Sequence, residues 1–322
     1  DTDLVKALMW HGGGELRYGD EAAPRTGAGT VPFRVTLAGV CGSDLHPYRG
    51  HHGPRTPPLV LGHEAIGRVD GDERLYVVFP IVSCGACPAC LRGEENLCAT
   101  RGLLGLDRQG VFAETVAVAP GSLTPIPASV DDRVAVLTEP FACAVSALRY
   151  AGATPGQHVL VVGGGPIGLL TTYACAIQGI EVSAVEPVAA RRALAAELGA
   201  TRVAAAVSDA SLPVADIAID AVGIEATWQG AIARVRTGGS VTVIGLGQAD
   251  GAVAVGDMVR RAITLRGHYA YTRADFDAAL ALLAEHPPSL DWVTVMPLRD
   301  GAEAFRRLVE EPAGTIKALL AV

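Results

Sequence analysis

Cys84, Cys87, Cys90 and Cys98 lie in one stretch, CGACPACLRGEENLC, separated by two, two and seven residues. Four thiolates this close make a closed tetrahedral shell for a borderline-soft ion, of which Zn²⁺ is the usual occupant. The competing arrangement is a pair of disulfides. It would join cysteines too near in sequence for good S–S geometry, in a chain with no other secretory feature. With every position a thiolate, no site is left open for a substrate. The expected contribution of the quartet is to brace a lobe spanning residues 84–98.

A second pattern suits a dinucleotide. Gly163-x-Gly165-x-x-Gly168, with Pro166 and Ile167 between its last two glycines, follows the apolar run HVLVV and opens a helix-like segment. The first glycine permits a tight turn, the second lets backbone approach a pyrophosphate, and the third lets helix pack on strand. Glu186 closes the next strand, 23 residues beyond Gly163. A carboxylate there can accept from the ribose hydroxyls and repel a 2′-phosphate, so NAD is favoured over NADP. Arg191 and Arg192 keep NADP in view, since an arginine nearby can pair with a phosphate. Gly223, Gly245 and Gly247 end later strands on the same edge and are expected to line the nicotinamide half of the crevice.

Cys41 in GVCGSDLH and His63 in LGHEAIG come from separate loops. A thiolate and an imidazole so placed suit a catalytic zinc, which keeps one position open. Taken alone, Cys41 is more often a small buried hydrophobe and His63 a satisfied loop histidine. Cys143, in FACAVSAL, reads as a core residue of a helix.

Two textures must position these residues. From about 31 to 130, VPFRVTLAGV, EAIGRV, RLYVVFP and FAETVAV are β-rich and punctuated by Gly, Pro and Asp, as in a partly barrel-like domain. From about Thr154, strands (HVLVV, EVSAVE, DIAIDAVG, SVTVIGLG) alternate with helices, the mark of a doubly wound parallel sheet. ITLRGH is expected to add the last strand, and TIKALLAV to return to the first domain. The expected domains are 1–150, 151–270 and a return over 271–322.

A chain of 322 residues, half of them hydrophobic and 19% charged, is that of a folded globular enzyme. The net charge of −8 argues against nucleic acid or an anionic membrane as partner. No apolar run approaches a membrane span and no signal-peptide core opens the sequence, so a cytoplasmic location is expected. Lysine occurs only at Lys6 and Lys317, while arginine is plentiful, which points to a GC-rich genome.

GVCGSDLH, LGHE, the cysteine quartet, LTEP and VVGGGPIG, in this order, resemble the zinc-containing medium-chain dehydrogenase/reductases over nearly the whole chain. The resemblance implies a doubly wound parallel Rossmann sheet plus a β-rich GroES-like catalytic domain. Glu139 stands where the ethanol branch carries a third zinc cysteine, so the polyol and threonine dehydrogenase branch is the closer match. The implied activity is hydride transfer between a secondary alcohol (a polyol, cyclitol or amino-alcohol) and NAD, interconverting alcohol and ketone. Two zinc ions per chain and a homodimer or homotetramer are implied as well. Cys41 and His63 would bind the catalytic zinc, with Glu64 or Glu139 as third ligand. Asp44 would orient His63, Ser43 would hydrogen-bond the substrate oxygen, and His46 would relay its proton to solvent. Tyr48, Arg49, His51 and His52 are polar enough to contact a polyhydroxylated substrate, although an exposed variable loop reads equally well. His268 and Tyr269 are placed to approach the site from the last strand. The rivals are a zinc-independent NADP-dependent enoyl or quinone reductase of the same fold and a non-catalytic nucleotide-binding zinc protein. The loop between the histidine motif and the quartet is shorter than the family's usual one.

Overall fold

HVLVV has no polar residue after its first, and it forms the central strand His158–Val162, buried along four of its five positions. The computed structural model of the chain describes residues 4–27, 29–51, 53–311 and 314–322. Parallel partners flank that strand on both sides, and the whole sheet runs Arg202–Ala204, Glu181–Val185, His158–Val162, Ala215–Asp220, Val235–Val243, Thr264–Gly267. Numbered along the chain, that order is 3-2-1-4-5-6. Strands buried on both faces need continuous apolar runs, and these sequences supply them. The order reverses beside the first strand, between Gly163 and Ala221, and ligands of such sheets bind at the carboxyl ends there.

The chain divides into two compact units, one ending at Glu139 and resuming at Thr272, the other Pro140–Tyr271. In the first, a seven-stranded sheet runs Leu123–Pro125, Tyr76–Val78, Glu64–Val69, Val31–Gly39, Lys317–Ala321, Val293–Pro297, with Thr115–Val118 also on Val31–Gly39. The C-terminal strand thus inserts antiparallel beside Val31–Gly39. Trp10, Phe33, Phe112 and Phe305 fill the core below it.

The sequence reading begins its strands at 31 and omits an antiparallel hairpin, Leu4–Gly12 with Glu15–Ala22. Its second strand is largely solvent-facing and carries little hydrophobic signal. The Gly13-Gly14 turn, with Gly13 at φ +53°, was the available clue. Cys143 is only partly buried, whereas Cys175 is the core cysteine of this unit.

Candidate active site and metal centres

The quartet is built locally. Ile81–Val82 pairs with Gly102–Leu103 and closes the base of the lobe, while Pro88 opens the short helix Pro88–Leu91 between the ligands. All seven cysteines are free thiols. The Cys84–Cys90, Cys87–Cys90 and Cys84–Cys98 sulfurs lie 3.9, 3.5 and 3.6 Å apart. Sulfurs bound tetrahedrally at about 2.3 Å from a zinc sit about 3.8 Å from one another, so the donor set fits that ion without rearrangement. Backbone N–H groups of Ala86 and Cys87 directed at Cys84 pull its thiol below the ordinary range. Backbone hydrogen bonding in the turn of Cys84, joined by Thr100, draws Cys98 down to about 6. Burial pushes Cys90 the other way, up to about 11.

The second cluster is assembled from distant segments. Cys41 follows the end of strand Val31–Gly39, His63 precedes strand Glu64–Val69, and Lys317 opens strand Lys317–Ala321. These three strands are neighbours in one sheet, so their ends converge. One donor atom each from Cys41, His63 and Glu64 lies within 4.8 Å of the others. Glu139 is buried and close enough to act electrostatically on Lys317, but it falls outside that cluster. Gly39 faces Glu64 across the ladder, and a Cβ there would stand 2.0 Å from the Glu64 Oε2. Only glycine leaves room for the carboxylate.

Lys317, 1% exposed, donates to Glu64 Oε1 at 2.7 Å, to Oε2 at 2.5 Å and to the Val40 carbonyl at 3.0 Å. Burial alone would depress its ammonium, but the Glu64 and Cys41 charges outweigh burial and hold it above the usual lysine range. Sequence reading passed over this residue. Its clue was chemical: a lysine opening an apolar strand, in a chain with only two lysines.

Asp44, fully buried, accepts from Cys41 N at 3.1 Å and from Gly62 N at 3.4 Å. Its Oδ1 faces His63 Nδ1 at 3.6 Å, which is longer than a hydrogen bond. Its direct action is therefore on the backbones that carry the two ligands. With Nδ1 turned to that carboxylate and otherwise unpaired, Nε2 is the histidine's donor toward a metal. Burial, then the Glu64 and Asp44 charges, push the Cys41 thiol up to about 11, opposed by Lys317 and a hydrogen bond from Ser43. A cation against this sulfur inverts that balance, because a coordinating thiol is deprotonated outright. The thiol, imidazole and carboxylate are donor types that could together hold a zinc ion.

His46 is half-buried. Burial, then the neighbouring Arg55, Arg49 and His51, lower its pKa, while Asp44 acts in the opposite sense. It is therefore a neutral base at ordinary pH. Tyr48 is half-buried, and its ring packs on Phe305 at 5.6 Å. Arg49 and His51 are exposed, and His52 lies outside the described residues. The His268 ring is engaged by Ser146 Oγ at 2.9 Å and stacks on Tyr150 at 4.6 Å.

At the glycine turn, Gly163 has φ +105°, and a Cβ on Gly168 would sit 1.8 Å from the Gly163 carbonyl oxygen. Gly165 caps helix Pro166–Ile177, with Pro166 and Ile167 in its first turn. Glu186, 6% exposed, accepts from Gly164 N at 2.6 Å and Val188 N at 2.9 Å. Each oxygen keeps acceptor capacity for a further donor. Arg192 donates to the Glu186 and Pro187 carbonyls at 2.7 and 2.6 Å, and Arg191 is half-buried on the same helix. A Cβ on Gly223 would stand 2.0 Å from the Gly245 carbonyl, so these glycines let two strand-end turns touch. Asp220, which sequence reading missed, holds that junction by accepting from Val222 N, Gly223 N and Thr227 Oγ1.

Among the described residues no helix is long and apolar enough to cross a membrane. Residues 27–128 match the alcohol dehydrogenase GroES-like domain, and 166–285 the zinc-binding dehydrogenase domain. The 2-dehydro-3-deoxy-L-galactonate 5-dehydrogenase of Pseudoalteromonas atlantica is 30% identical over 94% of both chains. An alcohol dehydrogenase (RspB) of Escherichia coli CFT073, solved with NADH, superposes with a TM-score of 0.90 at 25% identity, covering 99% of each chain. A zinc-binding dehydrogenase of Sinorhizobium meliloti 1021, bound to NADP, gives 0.88 at 27%, covering 99% of this chain and 100% of that one. The chain belongs to the zinc-containing medium-chain dehydrogenase/reductases, in their polyol branch, and is an NAD(P)-dependent oxidoreductase that interconverts alcohols and ketones.

Proposed function

We propose that the enzyme oxidises a secondary hydroxyl of a polyhydroxylated substrate, a polyol or a sugar acid, with NAD as acceptor. The convergence of Cys41, His63 and Glu64 donor atoms within 4.8 Å carries this reading. The sugar-acid relative and the exposed, polar Arg49 and His51 support the substrate class. When bound, zinc supplies a Lewis acid that acidifies the hydroxyl, and the nicotinamide accepts the hydride. Cys41, His63 and Glu64 hold the metal, with Glu64 rather than Glu139 as third ligand. Lys317 limits the carboxylate charge that Glu64 brings to the site. Ser43, whose hydroxyl already bonds the Cys41 sulfur, takes the substrate proton, and neutral His46 relays it to solvent. Gly163, Gly165 and Gly168 admit the pyrophosphate, and Glu186 accepts from the ribose in preference to a 2′-phosphate. Gly223 and Gly245 shape the nicotinamide end, with Arg191 at the adenosine edge. The quartet holds a second, structural zinc. The enzyme acts in the cytoplasm, whose reducing conditions suit seven free thiols, and as a homodimer or homotetramer.

The test is an NAD- and NADP-reduction screen over polyols, sugar acids, cyclitols, threonine and simple secondary alcohols, paired with zinc analysis. Turnover confined to simple alcohols, or one zinc per chain in the native protein, overturns the reading.

A further inference from the structure

Arg55 lies in a stretch, HHGPRTPP, that reads as an exposed loop, yet its side chain is only 5% exposed. A buried guanidinium is costly unless its charge is balanced and its donors are used. Here Nε donates to the Gly105 carbonyl at 3.0 Å, and Nη2 stands 3.9 Å from Asp44 Oδ1. Gly105, at φ +70°, is pressed against Gly62, where a Cβ would lie 2.6 Å from both the nitrogen and the carbonyl oxygen. One side chain therefore hydrogen-bonds the turn beyond the cysteine lobe and sets its charge, at ion-pair rather than hydrogen-bond distance, against the carboxylate that accepts from Cys41 N and Gly62 N.

We propose that Arg55 is a positioning residue of the catalytic metal site. It holds the Asp44 carboxylate in the one orientation that serves the Cys41 and His63 backbones together. Without the cation, Oδ1 keeps only the long 3.4 Å hydrogen bond from Gly62 N to hold it on that side, and the spacing of thiolate and imidazole is less firmly set. The same charge faces His46. The groups that face this imidazole are Arg55, Arg49 and His51, which disfavour its protonation, and Asp44, which favours it. Arg55 acts on it more strongly than Arg49 or His51, and it alone of the three is buried.

This inference rests on the reading that Cys41, His63 and Glu64 hold zinc. Wild-type protein that binds zinc only at the quartet defeats that reading before any variant is made. Given two zinc ions in wild type, Arg55→Gln and Arg55→Lys are each challenged with a chromogenic chelator, and the release of both ions is timed. In Arg55→Gln the catalytic zinc should leave about tenfold to a hundredfold faster, the usual consequence of losing an outer support, with quartet release unchanged. The acidic limb of its kcat/KM profile should move to higher pH, because His46 loses a neighbouring cation. Arg55→Lys keeps the charge and should leave that limb in place. Catalytic zinc released from Arg55→Gln at the wild-type rate, or a limb that does not move, overturns the proposal. If Arg55→Gln does not fold, Arg55→Lys decides, since loss of the guanidinium fork should still speed release of the catalytic zinc alone.

Discussion

The two candidate metal centres of the first unit reach similar donor densities by opposite routes. The quartet draws its sulfurs from residues 84–98, on a partly exposed lobe, and tunes them with local backbone N–H groups. The Cys41, His63 and Glu64 cluster draws its donors from separate strand ends, under the core sheet, and surrounds them with buried charge. Asp44 and Glu64 are both fully buried, and each has a buried cation near it, Arg55 and Lys317. A closed shell of four thiolates on a partly exposed lobe needs no such environment, since an enclosed divalent ion would meet half of its charge and backbone N–H groups and water can meet the rest. A site that leaves a coordination position open must have its remaining donors fixed by the protein, and buried carboxylates that do so require partners. The difference teaches where each centre is vulnerable: the quartet at its ligands, the catalytic cluster also at residues that touch no metal.

The strongest way to break the comparison is Cys41→Ser. Turnover should fall at least about a thousandfold, equivalent to about 4 kcal/mol of lost transition-state stabilisation, while the melting temperature stays near wild type. Steady-state kinetics beside calorimetry checks both halves, and parallel loss of folding would erase the division of labour. Lys317→Met should come next. It leaves Glu64 buried without its cation, an imbalance that typically costs about 3–5 kcal/mol, measured by urea unfolding. A stability unchanged by this substitution would mean that Glu64 is neutral in the native protein. Cys90→Ser should release one zinc per chain and cost about 2 kcal/mol, roughly 4–8 °C in melting temperature, with turnover per folded molecule retained. Loss of turnover at constant folded fraction would show the lobe to be part of the catalytic machinery. Outside the metal centres, Glu186→Ala should raise the KM for NAD about tenfold to a hundredfold and narrow its gap to NADP. An unchanged ratio of the two cofactors would remove Glu186 from the ribose.

Much of the dinucleotide half was legible from residues close in sequence. The glycine turn, its helix and Glu186 fall within one strand–helix–strand repeat, whose hydrophobic periods differ enough to be read directly. The N-terminal hairpin was not, because its outer strand presents polar residues to solvent and its only strong signal is a glycine pair. Asp44 illustrates a subtler limit. Its proximity to His63 followed from the resemblance, but its hydrogen bonds to two backbones, with 3.6 Å to the imidazole, could come only from geometry.

The sequence by itself determined the donors: a quartet whose spacing suffices for a closed shell, a glycine turn bound to its strand and helix, and a cysteine and a histidine of the right types. What the tertiary structure decided is how the buried charges are balanced. Lys317 lies 253 positions from Glu64 and meets it only because the C-terminal strand inserts beside Val31–Gly39. Arg55 lies 50 positions from Gly105 and looks like loop until the turn folds over it. Ligand chemistry is written in residue type and short spacing, both of which a chain displays openly. Compensation of charge away from water depends on which strands become neighbours, and strand order is a property of the folded sheet.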